Sequence, residues 1–353
     1  MSFIKSENLN WRLGQFAFLI AAACVTRIPA SAATFTPSTF ATGAAVNSTR
    51  ADSVTYGGGS LWVEYSNGAS SSNYTGTSTI VQYSTSGAVQ SRYAIGGNVD
   101  GLKYNPNTNQ VWALQNQDGN SQLSVITPGT PGFTTTMYPA PVSTTRGFDD
   151  VAFLGNSVYL SQTNPSSTSD AVVVRLNSST PTTPMSFSTV VTGAGIVATD
   201  PDSLKATPNG GLMLTGEGDG TLTFITNPGL ASQSATSLKL SAAPGATIGA
   251  PDDALYATAT SGTFYLTDTT ANMVYAIAAT GLTPGSLFVN VGNAFGSVDT
   301  NTGVVTSLFN GTGLHGLEFV PTASNVPEPA SLGISLLGLG LGALAIARKR
   351  FAK

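Results

Sequence analysis

A five-residue phrase recurs six times along the chain, and its period restricts the available folds more than any other feature. It reads DSVTY at residues 52–56, DGLKY at 100–104, DDVAF at 149–153, DSLKA at 202–206, DDALY at 252–256 and HGLEF at 315–319. The starts lie 48, 49, 53, 50 and 63 residues apart. A repeat of that length is one supersecondary unit, shorter than a domain and longer than the usual rung of a β-helix. Each of the first five phrases leads through a turn rich in Gly or Asn to a short apolar run, at 61–63 (LWV), 111–113 (VWA), 158–160 (VYL), 212–214 (LML) and 264–266 (FYL). A third run follows at 80–83, 123–126, 172–176, 222–225 and 273–277, and most units add a fourth, Thr-rich run such as 133–138 (FTTTMY). Short aromatic and β-branched runs bounded by Gly, Asn, Pro and Ser are strands.

Four strands in every unit of about 50 residues make the blade of a β-propeller, where sheets stack face to face around an axis. The 294 residues between Ala33 and Val326 average 49 per unit over six units. The sequence therefore predicts an all-β protein with six blades, although five or seven also fit its length. Runs at 286–291, 295–299, 304–309 and 315–320 are expected to form the last blade, with 34–40 closing the ring. A β-sandwich with additional strands is the competing fold, but it does not require a repeat. The phrase suits an innermost strand. Ser53, Gly101, Ser203 and Gly316 are small where space near an axis is tight, and alternate residues such as Leu102 and Tyr104 can enter the packing between blades.

Composition excludes several classes. Gly 39 and Pro 19 disfavour long helices, and 41% hydrophobic residues are too many for a disordered chain. Only 9% of residues are charged and the net charge is -4, which excludes the basic face of a nucleic-acid binder. One Cys and one His exclude a disulfide framework and the usual zinc centres.

The two ends read as addresses. Lys5 and Arg12 precede an apolar run at 14–25, and Ala30, Ala32 and Ala33 frame a small-residue cleavage site, so residues 1–32 are expected to be a secretory signal cut after Ala32. Cys24 leaves with that signal unless it is lipidated. Residues 33–322 are then the repeat body, 323–330 a linker, 331–347 an apolar transmembrane helix and 348–353 a cytoplasmic tail. Residues 332–347 would span about 24 Å as a helix, against about 30 Å of hydrocarbon. The basic stop Arg348, Lys349 and Arg350 should stay in the cytoplasm, which puts the body on the far side. Directly before the span stand Val326, Pro327, Glu328 and Pro329. Motif, short helix and basic tail together resemble the PEP-CTERM sorting signal of Gram-negative bacteria. The resemblance implies export by the general secretion machinery and signal peptidase, retention in the inner membrane, and removal of the tail near Pro327–Pro329 by an exosortase. It also implies delivery to the cell surface or outside, among species that make extracellular polysaccharide. An ordinary single-pass anchor is the alternative, in which the two prolines only stop the helix.

A propeller would gather Asp52, Asp100, Asp149, Asp202, Asp252 and His315 at one mouth of its channel. Such oxygen ligands suit Ca²⁺, and the loop acids Glu217 and Asp219 are further metal candidates. The alternative is structural: each Asp accepts hydrogen bonds from backbone amides in the turn before its strand. Successive strand residues alternate, so the paired acids Asp149-Asp150 and Asp252-Asp253 are expected to point to opposite faces. His315 occupies a slot that Asp fills elsewhere, and restoring Asp there is expected to preserve folding. Trp62, Trp112 and Tyr159 are expected between blades, although exposed rings would stack on sugars. Ser/Thr clusters at 70–72, 166–169 and 178–183 read as loops, with glycans as an alternative. No catalytic residue or resident cofactor is assigned. The resulting expectation is an exported, non-catalytic binding or structural propeller associated with extracellular polysaccharide. The alternatives are a secreted Ca²⁺-dependent enzyme, lactonase-like or lyase-like, and a permanently anchored periplasmic scaffold.

Overall fold

A computed structural model describes residues 32–119, 121–137, 147–182, 185–193, 196, 199–242 and 248–322. Ala30, the signal before residue 32, the sorting motif, the apolar span and the basic tail lie outside these residues. Among the described residues, no helix is long and apolar enough to cross a membrane.

The repeat body is a six-bladed propeller of six four-stranded antiparallel sheets. In blades 1 to 4 the chain runs from the axis outward, one phrase opening each blade. Blade 1 comprises Ala51–Gly57, Ser60–Tyr65, Thr77–Ser84 and Val89–Gly96, and blades 2, 3 and 4 open with Val99–Asn105, Phe148–Leu154 and Pro201–Ala206. Six hydrophobic clusters fill the six seams between blades. Trp62 packs with Val99, Leu102 and Val111 of the next blade, Trp112 packs with Val151 and Val158, and Tyr159 packs with Leu204 and Leu212. These rings are buried, so they serve the core and offer no surface to a sugar.

The last two blades depart from the expected order. The fifth phrase, in Pro251–Tyr256, pairs with Leu287–Val291, followed by Ala294–Val298 and Val305–Asn310. The intervening hairpin, Ser261–Asp268 and Met273–Thr280, crosses into blade 6 and pairs with the sixth phrase in Leu314–Pro321. Thr34–Thr42 adds as its outer strand, so the N-terminal segment closes the ring as expected. The runs assigned by sequence to a sixth blade thus belong mostly to the fifth. Two facing connections carry the exchange. Ala257 donates to the Ser286 carbonyl at 2.8 Å, Gly285 donates to the Ala257 carbonyl at 2.8 Å, and Leu282 donates to the Thr260 carbonyl at 2.9 Å. The excursion also accounts for the long final spacing of 63 residues. Phenylalanines seal this seam, with the Phe264 ring 4.6 Å from Phe288, 5.0 Å from Phe295 and 4.7 Å from Phe319.

Every phrase carries the same irregularity. The register between innermost and second strands slips at the first two phrase positions in all six blades, as between Ala51 and Val54 or between Pro251 and Ala254. Such a bulge adds one residue to the inner strand and re-aims its side chains. Alternation fails there, and both members of each pair Asp149-Asp150 and Asp252-Asp253 line the same channel. The second position meets the following blade. A Cβ on Gly101 would stand 2.2 Å from the Asp149 carbonyl oxygen, and one on Gly316 would stand 2.7 Å from that of Asp52.

Candidate ligand-binding channel

The bulged phrases divide the channel into layers. The first positions, Asp52, Asp100, Asp149, Asp202, Asp252 and His315, surround a polar mouth of about 400 Å³, with Asp118, Asp200 and Glu217 farther out. Below them lies a narrow waist of about 50 Å³, room for a few waters. The opposite mouth is a funnel of about 360 Å³ lined by Lys103, Lys205, Glu318 and a set of aromatic rings.

Turn capping does not explain the five first-position acids. Among the described residues, none of their side chains accepts a backbone amide: Asp100 accepts from Gln117 Nε2 at 3.4 Å, and Asp149 Oδ2 is buried without a partner. The second-position acids do that work. Asp150 accepts from the amides of Val151 at 2.8 Å and Leu204 at 3.0 Å. Asp253 accepts from Ser203 Oγ at 2.6 Å, Lys205 Nζ at 2.8 Å and the Leu317 amide at 2.8 Å. These bonds tie one blade's inner strand to the next.

Freed from the turns, the first-position carboxyls crowd one another. Burial, then the charges of Asp52 and Asp252, hold Asp100 well above the ordinary carboxylate range. Burial and Asp252 raise Asp202, and burial and Asp100 raise Asp149. Glu64, from the second strand of blade 1, is fully buried and has no charged partner at ion-pair distance among the described residues; burial and then Asp52 push it well above its usual value, against a smaller opposing effect of Ser78. Among the described residues, His315 is the one basic side chain in this layer. Its Nδ1 lies 2.8 Å from Asp252 Oδ1 and 3.1 Å from Asp52 Oδ1. Burial opposes its charge, but the two carboxylates outweigh burial and push the imidazolium up to about 12. His315→Asp would replace this cation with a sixth carboxylate. It should lower the melting temperature, less so at high salt, which reverses the expectation that Asp restores a consensus. Asp100→Asn, by contrast, removes a crowded charge at the loss of one long hydrogen bond. It should leave stability at pH 7 unchanged or raise it by up to about 1 kcal/mol, measured by urea unfolding.

The oxygen donors are of the kind that suits Ca²⁺. Among the described residues, however, no three acidic, His or Cys side chains gather closely enough to hold a metal ion. Glu217 stands at the rim, and Asp219 is engaged by the Thr199 hydroxyl at 2.9 Å.

Residues 325–350 match the PEP-CTERM protein-sorting motif. It marks an exported protein processed at the membrane, with an exosortase as processing partner. No curated protein sequence matches the chain. Among solved structures, the propeller is similar to a protein assigned as a gluconolactonase, at 12% identity over 81% of this chain and 89% of the other, with a TM-score of 0.51. It is also similar to a catalytically inactive virginiamycin B lyase from Staphylococcus aureus, at 14% identity, 83% and 87% coverage and a TM-score of 0.46. A periplasmic gluconolactonase from Pseudomonas aeruginosa follows at 12%, 76% and 88%, and 0.47. The likeness to the first of these concerns the fold alone.

Sequence reasoning named the mouth residues but passed over Lys103, Lys205, Glu318 and Glu64. A signal for three of them was present: the fourth phrase position is Lys in DGLKY and DSLKA and Glu in HGLEF. Glu64 follows an apolar run and carries no comparable pattern.

Proposed function

We propose that this is an exported, non-catalytic binding propeller, released from the membrane by exosortase cleavage, whose acidic mouth takes a cationic group in the extracellular matrix. The ammonium of an amino-bearing polysaccharide has the required chemistry. The observation that carries this reading is the charge imbalance of the mouth. His315 is paired with Asp52 and Asp252, while Asp100, Asp149 and Asp202 have no ion-pair partner among the described residues and are crowded by neighbouring acids. A bound cation would relieve that crowding and draw their carboxyls down, releasing protons. The two carboxylates on His315 Nδ1 favour the protonated imidazole, which cannot accept a proton as a general base would.

Calorimetry on the purified full chain tests the reading with spermidine and glucosamine oligomers as probes. Binding should release protons, weaken with salt and fall in an Asp100→Asn/Asp202→Asn double variant. Failure of both probes to bind at low salt would overturn it. A melting temperature raised far more by Ca²⁺ than by spermidine, with the response lost in the double variant, would instead make the mouth a metal site. Lactone turnover that collapses in His315→Gln, with melting unchanged, would make it an active site. Intact-mass analysis of protein from the surface of an exosortase-competent host should show the apolar segment missing. Recovery of only the full-length C-terminus would favour the anchored scaffold.

A further inference from the structure

The funnel at the opposite mouth has a different chemistry. It is walled by the last residues of the phrases, among them Tyr56, Tyr104, Phe153 and Tyr256, with Phe319 buried behind them. Tyr104 is held in place by its hydroxyl, which donates to Asn109 Oδ1 at 2.6 Å. At the fourth blade the corresponding residue is Ala206, which is exposed and leaves a gap in the aromatic wall. The floor is formed by the fourth phrase positions, where Lys103 and Lys205 sit beside Glu318.

The two lysines are not equivalent. Lys205 Nζ is 2.8 Å from Asp253 Oδ2, so its charge is directly paired. Lys103 Nζ is 3.8 Å from its nearest carboxylate oxygen, Asp150 Oδ2, and makes no hydrogen bond among the described residues. Asp150 is already occupied by the amides of Val151 and Leu204. Burial first, then the like charge of Lys205, pulls Lys103 below the ordinary lysine range, whereas burial raises Glu318 against the opposing effect of both lysines. The Lys103 ammonium thus has an ion-pair partner beyond hydrogen-bond distance, and its three donors make no hydrogen bond among the described residues, which leaves them available to a ligand in the funnel.

We propose that the funnel is a second binding site, for a small ring bearing a carboxylate, with the ring between the tyrosines and the carboxylate on Lys103. An ammonium–carboxylate contact at the end of an apolar pocket fixes orientation, and the aromatic faces supply the contact area. The volume of about 360 Å³ lies in the range of small-molecule sites. Acidic monosaccharides and aromatic carboxylates share this chemistry. The site is separated from the acidic mouth by the waist, so it stands or falls independently of the reading above.

Calorimetry and saturation-transfer NMR on the purified full chain would use D-glucuronate and 4-hydroxybenzoate as probes, with D-glucose and phenol as uncharged counterparts. At least one carboxylate should bind and its uncharged counterpart should not; which one binds identifies the ring. Lys103→Met should weaken binding by about tenfold or more. Ala206→Trp fills the gap in the wall from an exposed position and should block the funnel without disturbing the core, so the proposal remains testable if Lys103→Met folds poorly. Absence of binding by both carboxylates at millimolar concentration would overturn it. So would equal binding of the uncharged rings, or affinity unchanged by Ala206→Trp.

Discussion

Asp253→Ala should destabilise the propeller by about 3–5 kcal/mol, the range for breaking a buried ion pair from one side. Its side chain and that of Lys205 are both largely buried, and the substitution strands Lys205 together with the Ser203 hydroxyl and the Leu317 amide. Those three donors belong to blades 4 and 6, so a single carboxylate of blade 5 holds three consecutive inner strands in register. Urea unfolding of the variant should show a lower midpoint. Asp253→Asn should lose less, because an amide oxygen can keep one or two of the three contacts. A loss under about 1 kcal/mol in Asp253→Ala would mean that the seams hold without this tie.

Stability should also rise as pH falls from 8 to 5. Asp100, Asp149, Asp202 and Glu64 have folded-state values well above their ordinary ones, so the folded chain binds protons where the unfolded chain does not. Each therefore favours the fold as pH drops from its folded value toward the ordinary carboxylate value. Raising the pH through the folded value restores the full penalty. His315 acts in the same direction from the opposite charge type. Its contribution is complete below its ordinary value of 6.5 and diminishes as pH rises toward about 12. Melting followed by circular dichroism should give a temperature several degrees higher at pH 5 than at pH 8, and Glu64→Gln should raise the pH 8 value. A flat profile would mean that the mouth acids are better solvated than their burial indicates.

The propeller was legible because its repeat is local. Each phrase, turn and apolar run lies within one blade through the first four units, so period and strand composition were sufficient. The exchange between blades 5 and 6 was hidden for the converse reason. Nothing within the FYL run at 264–266 distinguishes pairing with residues 251–256 from pairing with 314–321; that choice is made by the facing connections at 257–260 and 281–286. The mouth residues were legible by position, but their role was not. Strand alternation misled at Asp149-Asp150 and Asp252-Asp253 because a bulge is a property of two paired strands, invisible in either alone. Lys103 and Lys205 were equally hard to separate, since both occupy the fourth phrase position and differ only in how near a carboxylate stands.

Blade 6 has a consequence for the order of events after synthesis. Its outer strand pairs Thr34 with Thr280, residues separated by 246 positions, and its innermost strand is the last one in the ring. In a chain that emerges from its N-terminus, blades 1 to 4 can assemble as they appear. Thr34–Thr42 must wait with an unsatisfied edge until nearly the whole body has followed. Blade 5 has all its strands only after the interlaced hairpin has been passed and Val305–Asn310 has emerged, and blade 6 only when the final phrase in Leu314–Pro321 follows. Closure is thus a late, long-range step with a large entropic cost. Until it occurs, the waiting edge is open to pairing with another molecule, and the interval between emergence and closure is when this chain is most exposed to aggregation.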